Sequence, residues 1–208
     1  MNTERTIAAA LLEIKAVKLS PRKPFTWASG LKSPVYCDNR KTLSYPETRR
    51  LICESFAARV AELYPDVQLI AGVATGAIAH GALLAERLNL PFVYVRAAAK
   101  SHGLENLVEG ELPDRAKVVV VEDLVSTGGS SIAAVEALRR AGAEVLGLVA
   151  IFSYEFAAAE ENFKNAGCRF DTLSNYSALL NEALASNYIS GDEPKILREW
   201  HDAASRNR

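Results

Sequence analysis

Residues 118–131 place two carboxylates, four hydroxyls and two glycines directly after an unbroken run of valines, Val118 to Val121. A β-branched run of this kind suits a central parallel strand covered on both faces. At the carboxyl end of such a strand a crevice opens where ligands bind. Glu122 and Asp123 can accept hydrogen bonds from sugar hydroxyls. Gly128 and Gly129 let the backbone turn tightly and approach a ligand. Thr127, Ser130 and Ser131 add hydroxyl donors to the free N–H groups of a following helix start, a combination that suits phosphate. Glu-Asp alone could equally be a strand end meeting water. The hydroxyl- and glycine-rich turn behind it argues for a phosphate site beside a ribose site.

A second strand–turn–helix junction lies at Val73-Ala74-Thr75-Gly76-Ala77-Ile78. Thr75 and Gly76 fall where backbone N–H groups are unpaired, so another anion can bind there. The Gly-Lys-Ser/Thr ending of a Walker A loop is missing. A third candidate is the stretch 97–117, which lacks clear periodicity. Loops this long inside a compact domain are usually functional or mobile. It carries Lys100, His102 and Gly103, with Arg96 at its base; the plainer alternative is a solvated surface loop. His80 reads as a structural residue on its helix and His201 as solvent-facing.

These residues need a scaffold, and the rest of the chain supplies an alternating pattern. Helices are expected at 3–15, 46–64, 78–88, 130–141 and 155–166, with Gly167 as a C-terminal stop. Two more are expected near 176–186 and 194–205, the last capped by Asp192. Strands are expected at 68–74, 91–96, 118–122, 144–152 and 169–172. Segment 17–45 reads as irregular, with Ser-Pro, Lys-Pro and Ser-Gly turn signals. Ser44 to Glu47 resembles a capping box. The alternation predicts an α/β fold with a central parallel sheet flanked by helices. An N-terminal helix and cover (1–45) would precede a core with C-terminal helices (46–208), in one structural domain overall.

The 208 residues, 49% hydrophobic and 24% charged, suit a soluble globular chain. A net charge of -1 gives no basic field for nucleic acid. No apolar stretch is long enough to span a bilayer, and the start lacks a signal-peptide profile. Cys37, Cys53 and Cys168 are scattered without C-x-x-C spacing. This argues for a reducing cytoplasm and against a zinc site.

The string 118–131 resembles the phosphoribosyl-pyrophosphate (PRPP) signature of type I phosphoribosyltransferases. Phe25-Thr26-Trp27-Ala28-Ser29-Gly30-Leu31-Lys32-Ser33-Pro34-Val35-Tyr36-Cys37-Asp38 resembles the hood of the orotate phosphoribosyltransferases, and Arg96 to Gly103 their basic catalytic loop. The resemblance implies transfer of a phosphoribosyl group from PRPP to orotate in pyrimidine biosynthesis. It implies that Glu122 and Asp123 hold the ribose and that Thr127, Gly128, Gly129 and Ser130 cradle the 5-phosphate. Leu124 and Val125 belong to the same donor-binding segment, and Thr75 and Gly76 to the second anion site. Ser126 is implied at orotate, with Lys32 and Tyr36 of the hood. Arg96, Lys100 and His102 would act as catalytic cations on the pyrophosphate.

Mg2+ would ride mainly on PRPP, with no dedicated protein metal site. The loop would close over a neighbouring subunit, implying a homodimer. Some relatives carry lysines where this chain has Ala28 and Ala97, and an arginine near 153–155 that is absent here. These departures leave open which cation meets the orotate carboxylate. A transferase for another base would keep the signature but not this hood, whereas a PRPP-sensing regulator that binds nucleic acid would need a recognition helix and a basic face, against the near-zero net charge.

Overall fold

The computed structural model describes residues 2–27, 30, 32–96 and 107–206. In chain order the elements are α1 (Thr3–Glu13), β1 (Val17–Leu19), β2 (Phe25–Thr26), β3 (Lys32–Ser33) and β4 (Val35–Cys37). A 3-10 helix (Asn39–Ser44) leads into α2 (Pro46–Leu63), β5 (Leu69–Val73), α3 (Ile78–Leu88), β6 (Phe92–Val95) and β7 (Val108–Glu109). Then come β8 (Lys117–Val125), α4 (Gly129–Arg140), β9 (Glu144–Ser153), α5 (Ala157–Asn165), β10 (Phe170–Asn175), α6 (Tyr176–Ala185) and α7 (Glu193–Arg206).

Six strands form one sheet in the order β10-β9-β8-β5-β6-β7. Every pairing is parallel except β6 with β7 at the edge. The valine run of β8 shows why the sheet needs two helical layers. Val119 and Val121 point to the face covered by Ile7, Leu11, Ile52, Phe56 and Leu179, from α1, α2 and α6. Val118 and Val120 point to the face covered by Val135, Leu138 and Phe163, from α4 and α5. All four valines are fully buried. Complete burial stabilises the fold by about 1.5–3 kcal/mol per side chain, an upper figure because unfolded chains already hide some surface.

Several local expectations change. Segment 17–45 is not irregular: β1 pairs with β4 and β2 with β3, both antiparallel. Stretch 97–117 is not all loop, because Val108 and Glu109 pair back onto Val95 and Tyr94. The capping box at Ser44 does not form. Tyr45 is the N-cap without a side-chain bond, and Pro46, with φ already helical, starts α2. The Asp192 carboxylate is taken by Arg22, while its carbonyl accepts the Ile196 N–H.

His201 is not solvent-facing. Its ring stacks between Phe156 and Tyr176, and Nε2 lies 2.7 Å from the Tyr154 carbonyl oxygen. The same helix carries Trp200, which packs edge-on to Trp27 and donates from Nε1 to the Lys32 carbonyl. The C-terminal helix therefore clamps the N-terminal hood, a contact between residues more than 160 positions apart. His80 is buried, with Nε2 3.0 Å from Thr42 Oγ1.

Candidate active site

β5 and β8 lie side by side in register from Leu69↔Val118 to Gly72↔Val121. From there their paths differ. β5 leads through α3 to β6 on one side, while β8 leads to β9 and β10 on the other. The crevice expected at such a reversal lies beyond the carboxyl ends of these two strands. β8 does not stop at its carboxylates, as 118–122 would have it. It runs on to Val125, paired there only with β9, through Leu124↔Phe152 and Val125↔Ser153. Glu122 to Val125 thus form one wall of the crevice.

A cavity of about 440 Å³ fills this place. Val73, Ala74, Thr75 and Gly76 line it from β5, and Glu122, Asp123, Leu124 and Ser130 from β8 and α4. Cys37, Asp38 and Arg40 close it from the hood side. Both helix starts beside it lack a side-chain cap: Ala77 precedes α3, and Gly128 precedes α4 with φ +83°. At α1 and α6, by contrast, Asn2 and Asn175 accept a first-turn N–H. An uncapped helix start presents donors and the positive end of the helix dipole, which suits an anion. The Ala74–Thr75 peptide is cis.

The two carboxylates have different surroundings. Glu122 is buried, and both of its oxygens are engaged. Oε1 accepts the Asp123 N–H at 2.9 Å, and Oε2 accepts the Ser131 hydroxyl at 2.9 Å. Burial, then the neighbouring Asp123 charge, push its pKa up to about 8. Asp123 is also raised by burial, but the Glu122 hydrogen bond and the Arg40 charge oppose the shift. Its carboxylate lies against Gly76: a Cβ there would meet Oδ2 at 2.2 Å. Glu122 fixes the Asp123 backbone, and both acids line the cavity. Ser131 serves Glu122 rather than a phosphate.

The 126–130 turn is held from outside. Asn162 Nδ2 donates to the Thr127 carbonyl, and Gly128 has no room for a side chain, since a Cβ would lie 2.8 Å from the Phe163 ring. Thr127 and Ser126 are partly exposed, Gly129 and Ser130 exposed, and Val125 buried. Asn39 Nδ2 reaches from the 3-10 helix to the Asp123 carbonyl and ties the hood's end to β8.

Arg96 directly follows β6, with Nη1 3.4 Å from Glu109 Oε1. Lys32 donates to Thr26 Oγ1, and Tyr36 packs on Phe25 at 5.7 Å between ring centroids. Neither Lys32 nor Tyr36 is among the residues lining the 440 Å³ cavity. Lys100 and His102 fall outside the described residues. Sequence reading gave Cys37 and Asp38, the end of the hood pattern, no role of their own and did not single out Arg40. The Asp38-Asn39-Arg40 triplet was the available signal, but nothing in one dimension says that it folds back onto β8.

Comparison with known proteins gives these features a family. The phosphoribosyl transferase domain matches residues 46–175. The orotate phosphoribosyltransferase of Porphyromonas gingivalis is 58% identical over 196 residues, covering 94% of this chain and 93% of that protein. The solved orotate phosphoribosyltransferase of Aeropyrum pernix superposes with a TM-score of 0.77 at 28% identity, covering 88% of this chain and 99% of that one. Leishmania donovani UMP synthase superposes with a TM-score of 0.81 at 28% identity, over 96% of this chain and 42% of that larger one. With this identity along nearly its whole length, and with the cavity at the strand reversal, the chain belongs to the orotate phosphoribosyltransferases of the type I phosphoribosyltransferase family.

Proposed function

We propose that the chain transfers the 5-phosphoribosyl group of PRPP to orotate, giving orotidine 5′-monophosphate and pyrophosphate, a step of UMP synthesis. The observation that carries the reading is the shared cavity. Two uncapped helix starts flank the Glu122–Asp123 carboxylates, an arrangement that suits a sugar with a phosphate and a diphosphate.

In this reading Thr127, Gly128, Gly129 and Ser130 cradle the 5-phosphate. Asp123 accepts from the ribose hydroxyls, held in place by Glu122, and Thr75 and Gly76 receive the diphosphate. Ser126 meets orotate, covered by the hood with Lys32 and Tyr36. Arg96, Lys100 and His102 neutralise the departing pyrophosphate.

The bond from C1 to the diphosphate loosens, and positive charge spreads over the ribose ring as in other glycosyl transfers. The orotate nitrogen attacks from the opposite face with inversion. The proton on that nitrogen leaves as the N–C1 bond forms and is taken up by the departing pyrophosphate or by water; the protein orients the reactants and stabilises the leaving group.

The donor set suits a Mg2+ ion brought in by the substrate. Asp123 and Glu122 offer hard oxygen ligands beside the cavity. Mg2+ bound to ribose and diphosphate oxygens would lower the negative charge on the leaving group. We place the reaction in a homodimer whose basic loop closes over the neighbouring site, in the cytoplasm. Among the described residues no helix is long and apolar enough to cross a membrane.

The direct test mixes protein, orotate, PRPP and Mg2+ and follows orotate-dependent pyrophosphate release. Replacing orotate by adenine should abolish release. PRPP binding without turnover would instead make the chain a sensor. Lys100→Ala should lower kcat by about 10²–10³-fold while PRPP still binds; near-normal turnover would remove the loop from the mechanism.

A further inference from the structure

The cavity poses an electrostatic problem. Asp38, Glu122 and Asp123 all line it, yet a diphosphate must enter it. Arg40 is the one basic side chain among the described residues that line it. Its guanidinium is 62% exposed, so a ligand can reach it. Nε and Nη2 donate to the two Asp38 oxygens at 2.6 and 2.9 Å. That bidentate pair sets the plane of the fork and leaves the Nη1 edge for another anion. The Arg40 hydrogen bonds hold the Asp38 carboxyl below its usual range, so the pair stays charged. Asn39, the residue between them, is bonded to the Asp123 carbonyl, which fixes this turn against β8.

We propose that Arg40 binds the 1-diphosphate of PRPP as the cation this subunit supplies to its own site, with Asp38 as its positioning residue. The proposal deepens the orotate phosphoribosyltransferase reading and rests on it. The diphosphate is favoured over the orotate carboxylate by placement. Arg40 shares its cavity with Thr75 and Gly76, whereas Lys32 and Tyr36, the hood residues assigned to orotate, do not line it. Arg40 stands in the wall of the cavity that would receive the donor.

The test uses the full chain in the reverse direction, where orotidine 5′-monophosphate and pyrophosphate are separate substrates. Arg40→Ala should raise KM for pyrophosphate, and for PRPP in the forward direction, by about 10- to 100-fold, the range of a lost charge-assisted hydrogen bond. KM for orotidine 5′-monophosphate and for orotate should stay within about threefold. Arg40→Lys keeps the charge but loses the fork and should recover only part of the loss. Asp38→Asn should raise KM for pyrophosphate less than Arg40→Ala, and should have no further effect in the Arg40→Ala background.

Calorimetric titration of wild type and variants with Mg2+-pyrophosphate reads the same contact without turnover, so a wild type inactive on orotate would overturn the family reading separately. Thermal melts check folding, and Arg40→Gln replaces Arg40→Ala if the latter is unstable. A rise confined to the orotate and orotidine 5′-monophosphate KM values would move Arg40 to the base and overturn the proposal. No change in any constant would make the pair a solvated surface contact and overturn it equally.

Discussion

The turn after β5 and the turn after β8 face one cavity, yet they are anchored in different ways. The first is shaped by smallness: Gly76 lets the Asp123 carboxylate lie against the backbone, and α3 begins on Ala77 with no side-chain cap. The second is tethered on several sides. Glu122 holds the Asp123 N–H and the Ser131 hydroxyl, Asn39 holds the Asp123 carbonyl, and Asn162 holds the Thr127 carbonyl. One junction is a bare backbone surface, and the other is a scaffold that aims a carboxylate. Backbone donors can therefore be presented simply by leaving side chains out, whereas an aimed acid needs partners that hold it.

The largest effects should come where the two junctions touch. Asp123→Ala should lower kcat/KM by about 10²–10³-fold with little change in Tm. Gly76→Ala should approach that loss, because its Cβ displaces the Asp123 carboxylate. Retained turnover in both variants would end the claim that this carboxylate meets the reacting sugar.

Gly128→Ala sharpens the contrast. At φ +83° and 2.8 Å from the Phe163 ring, the new Cβ strains the backbone and crowds the core. The φ penalty alone costs about 1–2 kcal/mol, or roughly 2–8 °C in Tm for a chain of this size. An unchanged melt would mean that the second junction is not the rigid one.

A pH series probes the scaffold itself. Folding raises the Glu122 pKa from the ordinary carboxylate range to about 8. The folded chain then holds a proton that the unfolded chain has lost, so stability declines as pH rises through this window. His80, lowered by burial to about 4, has the opposite effect: its contribution is present above 6.5 and is lost as pH falls toward 4. Between pH 6.5 and 8 Glu122 acts without that opposition. The ligand-free protein should lose Tm across that interval, and Glu122→Gln should flatten the slope. The smallest effect is expected from Ser131→Ala. Removing a donor that favours the charged carboxylate should move the Glu122 window to higher pH, visible as a displaced Tm slope.

Much of this architecture could be read in one dimension because it follows from periodicity. Val118 to Val121 alternate between two cores, as a strand buried on both faces must, and the helical stretches fall near their expected places. Segment 17–45 was less legible. Its strands are two or three residues long, too short for alternation to register, and they form only because α7 and β8 hold them. His201 was misplaced for a related reason. A polar helix sequence does not reveal that Phe156 and Tyr176 arrive from elsewhere to sandwich its ring.

Residue type and order alone determined the α/β alternation, the two anion-ready turns and the family pattern, because each is local along the chain. Only the tertiary structure decided how the two acids are partnered, that Ser131 serves Glu122, and that Arg40 lines the cavity. Hydrogen bonds between segments distribute these roles, and their partners lie from one to 84 positions apart. Linear spacing carries no record of such meetings.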